Sequence, residues 1–262
     1  MDLLTLQTKV CEIVKQAADK YFNTATTIIE KEGAANIVTD ADLNVQSFLM
    51  ENLKNLLPNS SFLCEENDVT STDTEFVWII DPIDGTTNFA RGLYECAISV
   101  GLIKNGVSVL GVVYAPRMNL LFNATKGGGA FCNGEKIHTS NKSFSQSILC
   151  TAFCLYHKEY ASICADIMLK ALPLCSDIRR FGSCAIELCL LACGKCDLYF
   201  EYRICPWDYA GAYLILTEAG GIISGYNKQE LDFKTDTILI AANNAENYEK
   251  LNSIINEVIK KV

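Results

Sequence analysis

The sequence predicts an α+β chain with an antiparallel-rich first half and a mixed second half, on three observations. Two pairs of β-rich runs are joined by Asn-Gly dipeptides, Asn105-Gly106 and Asn133-Gly134, a strong hairpin signal. Amphipathic helical stretches open and close the chain. No low-complexity linker or internal repeat separates residues 1–145 from 146–262, so the two halves are expected to form one compact unit with a site in the cleft between them.

Taken in order, Leu3, Leu6, Val10, Ile13, Val14, Ala17 and Tyr21 recur at helical spacing and predict a long helix over residues 3–29. The segment from Lys31 to Asp42 reads as a loop with a short strand. It leads into a helix carrying Leu43, Phe48, Leu49, Leu53 and Leu56, which Asp40 or Asp42 could cap. Phe62-Leu63-Cys64 reads as a strand running into Glu65-Glu66, a pair that on residues alone suits solvated surface. Phe76 to Ile80 is an unbroken apolar run, expected as a strand buried on both faces. Pro82 should stop its ladder and leave Asp81 and Asp84 beyond the strand end, where such sheets place their sites.

Residues 97–103 and 107–114 form the first expected hairpin, with further pairing through 120–122 and 130–132. Gly127-Gly128-Gly129 reads as a bend, because neither the lysine nor the following helix of a phosphate loop is present. The second half should hold a strand at 147–153, a helix near 160–172, a helix ending at Cys193 and a strand at 197–201. A helix from Pro206 to Ala219, a buried strand at 237–243 and a closing helix at 248–258 complete it.

Composition narrows the function. The chain has 262 residues, 50% of them hydrophobic, ample for a core. The N-terminus lacks the pattern of an export signal, and no apolar run is long enough to span a bilayer, so the expected location is the cytoplasm, with no membrane partner. A net charge of −9 opposes nucleic-acid binding, which needs a basic face. Thirteen cysteines, mostly inside apolar runs, read as reduced thiols acting as small hydrophobes. Cys193-Gly194-Lys195-Cys196 has metal or redox spacing but no second pair, and Gly194 suits a helix terminus. His138 and His157 are the only histidines and read as loop residues, which leaves little material for a histidine-based triad.

The chemistry concentrates after the apolar strand. Asp81 and Asp84 stand beside Gly85, which permits unusual backbone geometry, and Thr86-Thr87-Asn88, whose N–H groups can cradle an anion. Carboxylates repel a phosphate unless divalent cations lie between them, so this pattern points to a Mg²⁺-bridged phosphate site of hard oxygen ligands.

The nine residues Asp81-Pro-Ile-Asp-Gly-Thr-Thr-Asn-Phe89 resemble the signature of the inositol monophosphatase family of Mg²⁺-dependent, lithium-sensitive phosphatases. The resemblance extends to Lys31, Val38-Thr39-Asp40-Ala41-Asp42, Glu65-Glu66, Arg180-Phe181-Gly182-Ser183, Glu201, Trp207-Asp208-Tyr209-Ala210 and Glu218-Ala-Gly-Gly221. It implies a layered α/β/α/β/α sandwich of the sugar-phosphatase type, a homodimer, and two to three Mg²⁺ ions. One ion would be held by Glu65, Asp81 and the Ile83 carbonyl, a second by Asp81, Asp84 and Asp208, and a weaker third would lie near Glu65, with Lys31 close to the metals. Asp42 would orient Thr86, and Thr86 with Glu65 would position the attacking water; Gly85 and Thr86 would bind phosphate through their N–H groups. Asp84, Gly182, Cys184 and Glu201 would contact the substrate, Glu201 as a hydroxyl acceptor. Read without the resemblance, Asp208 suits a helix cap and Glu201 an exposed strand end.

The implied reaction is hydrolysis of a small polyol phosphate, foremost myo-inositol 1-phosphate, by metal-activated water and without a covalent phosphoenzyme. Relatives use the same core on histidinol phosphate, fructose 1,6-bisphosphate or 3′-phosphoadenosine 5′-phosphate. Cys184 stands where inositol enzymes commonly carry alanine, and Arg203 adds a charge near Glu201, which leaves these alternatives open. Some bacterial relatives serve as partners of RNA polymerase or ribosomal RNA, so a non-catalytic protein-binding module is the rival of another class.

Overall fold

A computed structural model describes residues 2–22, 27–30, 37–66, 74–154 and 157–260; Lys31 lies outside the described residues. The first half contains α1 (Leu3–Tyr21), β1 (Ile28–Glu30), β2 (Ile37–Thr39), α2 (Asp40–Leu56), β3 (Ser61–Cys64), β4 (Phe76–Asp84) and α3 (Thr86–Ala90). Five further strands follow: β5 (Ala97–Lys104), β6 (Val107–Ala115), β7 (Leu120–Thr125), β8 (Gly129–Cys132) and β9 (Glu135–Lys136). The second half contains β10 (Ile148–Thr151), α4 (Ala161–Ala171), β11 (Asp177–Arg179), α5 (Cys184–Ala192) and β12 (Leu198–Ile204). It closes with α6 (Pro206–Glu218), β13 (Ile222–Ser224), β14 (Thr237–Ala242) and α7 (Ala245–Ile259).

Strands β3 to β9 form one sheet in sequence order, antiparallel except for the parallel β3–β4 pair. The second sheet has the order β11-β10-β12-β14-β13 and mixes parallel with antiparallel pairs. Alternation along the strands shows how five layers stack. Trp78 and Ile80 of β4 face α1 and α2, whereas Val77 and Ile79 face the α5–α6 layer. In β12, Tyr199 points to that same central layer, while Leu198 and Phe200 pack against α4 and α7. The order α1α2, sheet, α5α6, sheet, α4α7 is therefore the α/β/α/β/α sandwich expected. No helix among the described residues is long and apolar enough to cross a membrane.

Helix α6 approaches the first sheet closely enough to exclude side chains. A Cβ on Gly111 would lie 2.2 Å from the Gly211 carbonyl oxygen, and one on Gly211 would lie 2.5 Å from Ser99 Oγ. These contacts seat α6, and with it Asp208 in its first turn, against β5 and β6.

Local chemistry accounts for the turns. Asn105 and Gly106 have φ of 49° and 78°, and Asn133 and Gly134 have 49° and 85°, as a two-residue hairpin loop matching the strand twist requires. The Gly127 and Gly129 N–H groups donate to the carboxylate of Glu218 at 2.7 and 2.8 Å, so the glycine run is a bend that binds an internal anion. Gly194 terminates α5, with its N–H on the Leu191 carbonyl and that of Lys195 on the Leu190 carbonyl, both at 2.9 Å. The Cys-x-x-Cys spacing thus belongs to a helix end, and all thirteen cysteines are free thiols, eight of them buried.

Two expectations are corrected. Helix α1 ends at Tyr21, not at residue 29, and Ile28–Glu30 instead pairs with Ile37–Thr39. The β-branched run Thr26-Thr27-Ile28-Ile29 disfavours helix. Pro82 also does not end β4: Asp81 pairs with Ser99 and Asp84 with Ala97 across a register shift. A missing N–H costs the ladder one bond, and the strand absorbs it as an irregularity.

Candidate active site

Two elements from distant parts of the chain bring three acids to one place. Asp81 and Asp84 sit on the last turn-out of β4, and Asp208 occupies the first turn of α6; one carboxylate oxygen from each lies within 4.8 Å of the others. Asp81 is 1% exposed, and its Oδ1 is buried without a hydrogen-bond partner. Asp84 is oriented from the second half: its Oδ2 accepts the Ser183 hydroxyl at 2.7 Å and the Ala185 N–H at 2.6 Å. Asp208 accepts the Cys205 N–H at 2.9 Å through Oδ2, so it does cap α6 while also joining the cluster.

Glu65 follows β3, with its N–H on the Ile80 carbonyl at 3.2 Å. It stands outside the three-acid group, yet its charge acts on Asp81 more strongly than that of any other residue. Burial is the largest cause raising Asp81, followed by the charges of Glu65, Asp84 and Asp208. Burial also pushes Asp84 up to about 6, and burial with the Asp84 and Glu65 charges raises Asp208. Crowded carboxylates in low dielectric must hold protons or share cations. An orphaned buried oxygen within a set of hard donors fits a divalent ion, and these residues therefore suit Mg²⁺.

The anion side lies next door. Gly85 has φ +87° and precedes α3, whose N-terminus has no side-chain cap. A Cβ there would lie 2.8 Å from the Glu95 carbonyl oxygen and 3.1 Å from that of Gly182, so the position needs glycine on both counts. The Thr86 hydroxyl lies 3.2 Å from Asp42 Oδ1 and 3.0 Å from the Ile83 carbonyl. Asp42 is fully buried and completes a capping box with Thr39, the N-cap of α2. The structure therefore gives Asp42 both duties, and burial lifts it to about 6.

Packed against the Gly85 turn, Gly182 has φ +84° and Cys184 begins α5, its thiol raised by burial. Glu201 is not a strand end, because β12 runs on to Ile204 past a register shift; it sits half-buried in mid-strand, with Oε2 accepting the Tyr199 hydroxyl at 2.5 Å. Burial pushes Glu201 up to about 8. Arg203 turns away, pairing with Asp236 at 3.1 Å and reaching His157 Nδ1 at 3.4 Å.

Sequence reasoning did not single out several residues that hold this arrangement. Ser183 and the Ala185 N–H orient Asp84, and Tyr199 orients Glu201. Asn88 uses its side-chain amide to bond the carbonyls of Glu95 and Phe181, both at 2.7 Å. Ser183 ahead of an apolar helix was a readable cap signal; its partner 99 residues away was not.

Three clustered acids beside an uncapped turn at a positive-φ glycine are the pattern of a metal-dependent phosphatase. The sequence profile of the inositol monophosphatase family matches residues 2–260, and the chain belongs to that family. Nus factor SuhB of Escherichia coli (strain K12) is 36% identical over 198 residues, 75% of this chain and 74% of that protein. Inositol monophosphatase 1 of Bos taurus is 34% identical over 249 residues, covering 92% and 88%. The structure of inositol monophosphatase from Anabaena (Nostoc) sp. PCC 7120 superposes with a TM-score of 0.85 at 30% identity, covering 98% of this chain and 97% of that one.

Proposed function

We propose that this phosphatase hydrolyses a small polyol phosphate, foremost myo-inositol 1-phosphate, to the free polyol and phosphate. The observation that carries the reading is the Asp81–Asp84–Asp208 group, with Asp81 and Asp84 buried and Asp81 Oδ1 unpartnered, set beside the Thr86–Asp42 pair. Glu65, Asp81 and the Ile83 carbonyl would hold one Mg²⁺ and Asp81, Asp84 and Asp208 a second, with Glu65 available to a weaker third. When bound, the ions supply Lewis-acid neutralisation of the phosphoryl and leaving-group charge and make water a stronger nucleophile at neutral pH.

The chain's own residues do the rest. Thr86 donates a hydrogen bond to Asp42, which leaves the hydroxyl oxygen to accept one from the attacking water, and Glu65 takes a second hydrogen bond from that water. That fixes the water for in-line attack. The N–H groups of Gly85 and Thr86 bind phosphate oxygens. Gly182, Cys184, Asp84 and Glu201 would contact the polyol, with Glu201 receiving a hydroxyl. We place the working cleft between residues 1–145 and 146–262, expect a cytoplasmic homodimer, expect no nucleic-acid partner from the net charge of −9, and expect no membrane partner from the lack of a long apolar run.

The test is phosphate release with and without Mg²⁺ across myo-inositol 1-phosphate, histidinol phosphate, fructose 1,6-bisphosphate and 3′-phosphoadenosine 5′-phosphate. Preference for the first by kcat/KM supports the reading; Mg²⁺-dependent turnover of another moves the substrate and keeps the chemistry. The likeness to Nus factor SuhB supports a second reading, a surface that docks a protein partner, which absence of turnover on all four would favour.

A further inference from the structure

Glu187 is a buried acid with no part in the chemistry above. It is 2% exposed and sits in the first turn of α5, whose cap is Ser183. Its side chain reaches back past the cap: Oε1 accepts the Phe181 N–H at 2.5 Å and the Gly182 N–H at 3.2 Å. The same two residues are held from the other side. Asn88 donates to the Phe181 carbonyl at 2.7 Å, and its amide lies 3.1 Å from where a Gly182 Cβ would be. The Gly182 carbonyl lies 3.1 Å from the Cβ position of Gly85, and the next residue, Ser183, bonds Asp84. One carboxyl therefore sets the turn that joins the substrate rim to the phosphate turn.

We propose that Glu187 is a positioning residue for the substrate: by holding the Phe181 and Gly182 N–H groups it fixes the turn that lines the polyol side of the site. This rests on the phosphatase reading above. Its position suits that role better than general stabilisation, because a core helix could be capped by Ser183 alone. Removing the carboxyl leaves two N–H groups unpaired and frees the turn to relax. Burial pushes Glu187 up to about 8, so the working form at neutral pH is the neutral carboxyl, whose carbonyl oxygen an amide reproduces.

The experiment compares Glu187→Ala and Glu187→Gln by kinetics and by amide hydrogen exchange, on myo-inositol 1-phosphate and on p-nitrophenyl phosphate, which lacks the polyol. Glu187→Ala is expected to raise KM for the inositol ester about tenfold with kcat nearly unchanged, and to leave kcat/KM for the aryl ester within about twofold. Exchange at Phe181 and Gly182 should quicken at least about tenfold while the core of β5 and β6 stays protected. Glu187→Gln should restore both readouts. Equal losses on the two esters with a lowered Tm would show a merely structural role, and unchanged exchange at 181–182 in Glu187→Ala would overturn the proposal outright. A wild-type protein that hydrolyses neither ester refutes the phosphatase reading, and the exchange data still decide whether Glu187 holds the turn.

Discussion

Asp84 carries two obligations: it faces Asp81 and Asp208, and through Ser183 and Ala185 it ties β4 to α5. Asp84→Asn keeps an oxygen for those donors but surrenders a charge. The variant is expected to fold with a near-native Tm and to lose roughly 10³-fold in Mg²⁺-dependent turnover, about 4 kcal/mol of barrier; undiminished phosphate release would remove the site from this cluster. Thr86→Val, which deletes the hydroxyl shared with Asp42 and the Ile83 carbonyl, should cost about 10²-fold in kcat with KM little changed.

The same acids set a pH dependence whose sign follows from their direction. Asp84 titrates near 6 in the fold against 3.8 ordinarily, and Asp81 and Asp208 are also raised. The folded chain thus binds more protons than the unfolded chain across that window, so the stability of the metal-free protein falls as pH rises through it. With chelator present, Tm should drop from about pH 5 to about pH 7.5, and Mg²⁺ should raise Tm more at the higher pH, because cations replace the protons the acids give up. An equal Mg²⁺ effect at both values would argue that the ion binds elsewhere.

Among the elements, α6 is the one whose seating matters most, since it carries Asp208 and lies against β5 and β6 through bare backbone. Gly111→Ala forces a Cβ to 2.2 Å from the Gly211 carbonyl, so the helix must lift. The expected cost is about 1–3 kcal/mol by denaturant unfolding, together with weaker Mg²⁺ binding by calorimetry. Gly106→Ala serves as the control: its φ is +78° but nothing lies within 4 Å, so it should cost about 1 kcal/mol and leave Mg²⁺ binding alone. The sequence marks Gly106 as a turn and Gly111 as a strand residue, but only the packed structure shows that Gly111 touches α6.

Element identity was largely legible where the pattern was strong. The apolar run before Asp81 is a strand buried on both faces, and the Asn-Gly pairs are hairpin turns. Boundaries were less so. Helical spacing through Tyr21 did not mark the boundary, and Ile28–Glu30 is a strand through its pairing with β2.

For the molecule as a whole, the chain's family and its candidate ligands were readable because motif residues sit close together in sequence, in runs such as Asp81 to Phe89. Their identities follow from chemistry that tolerates few substitutes: hard oxygens for a divalent ion, and a glycine where φ must be positive. What the sequence by itself determined is therefore the composition of the site and the layered class of the fold. Tertiary structure alone decided how that composition is held. Asp84 meets Ser183 across 99 residues, Thr86 meets Asp42 across 44, and Asp208 reaches β4 because α6 presses onto Gly101 of β5 and Gly111 of β6 in the first sheet. Contacts between such distant positions depend on the closing of two sheets around one helical layer, and no local propensity encodes that distance.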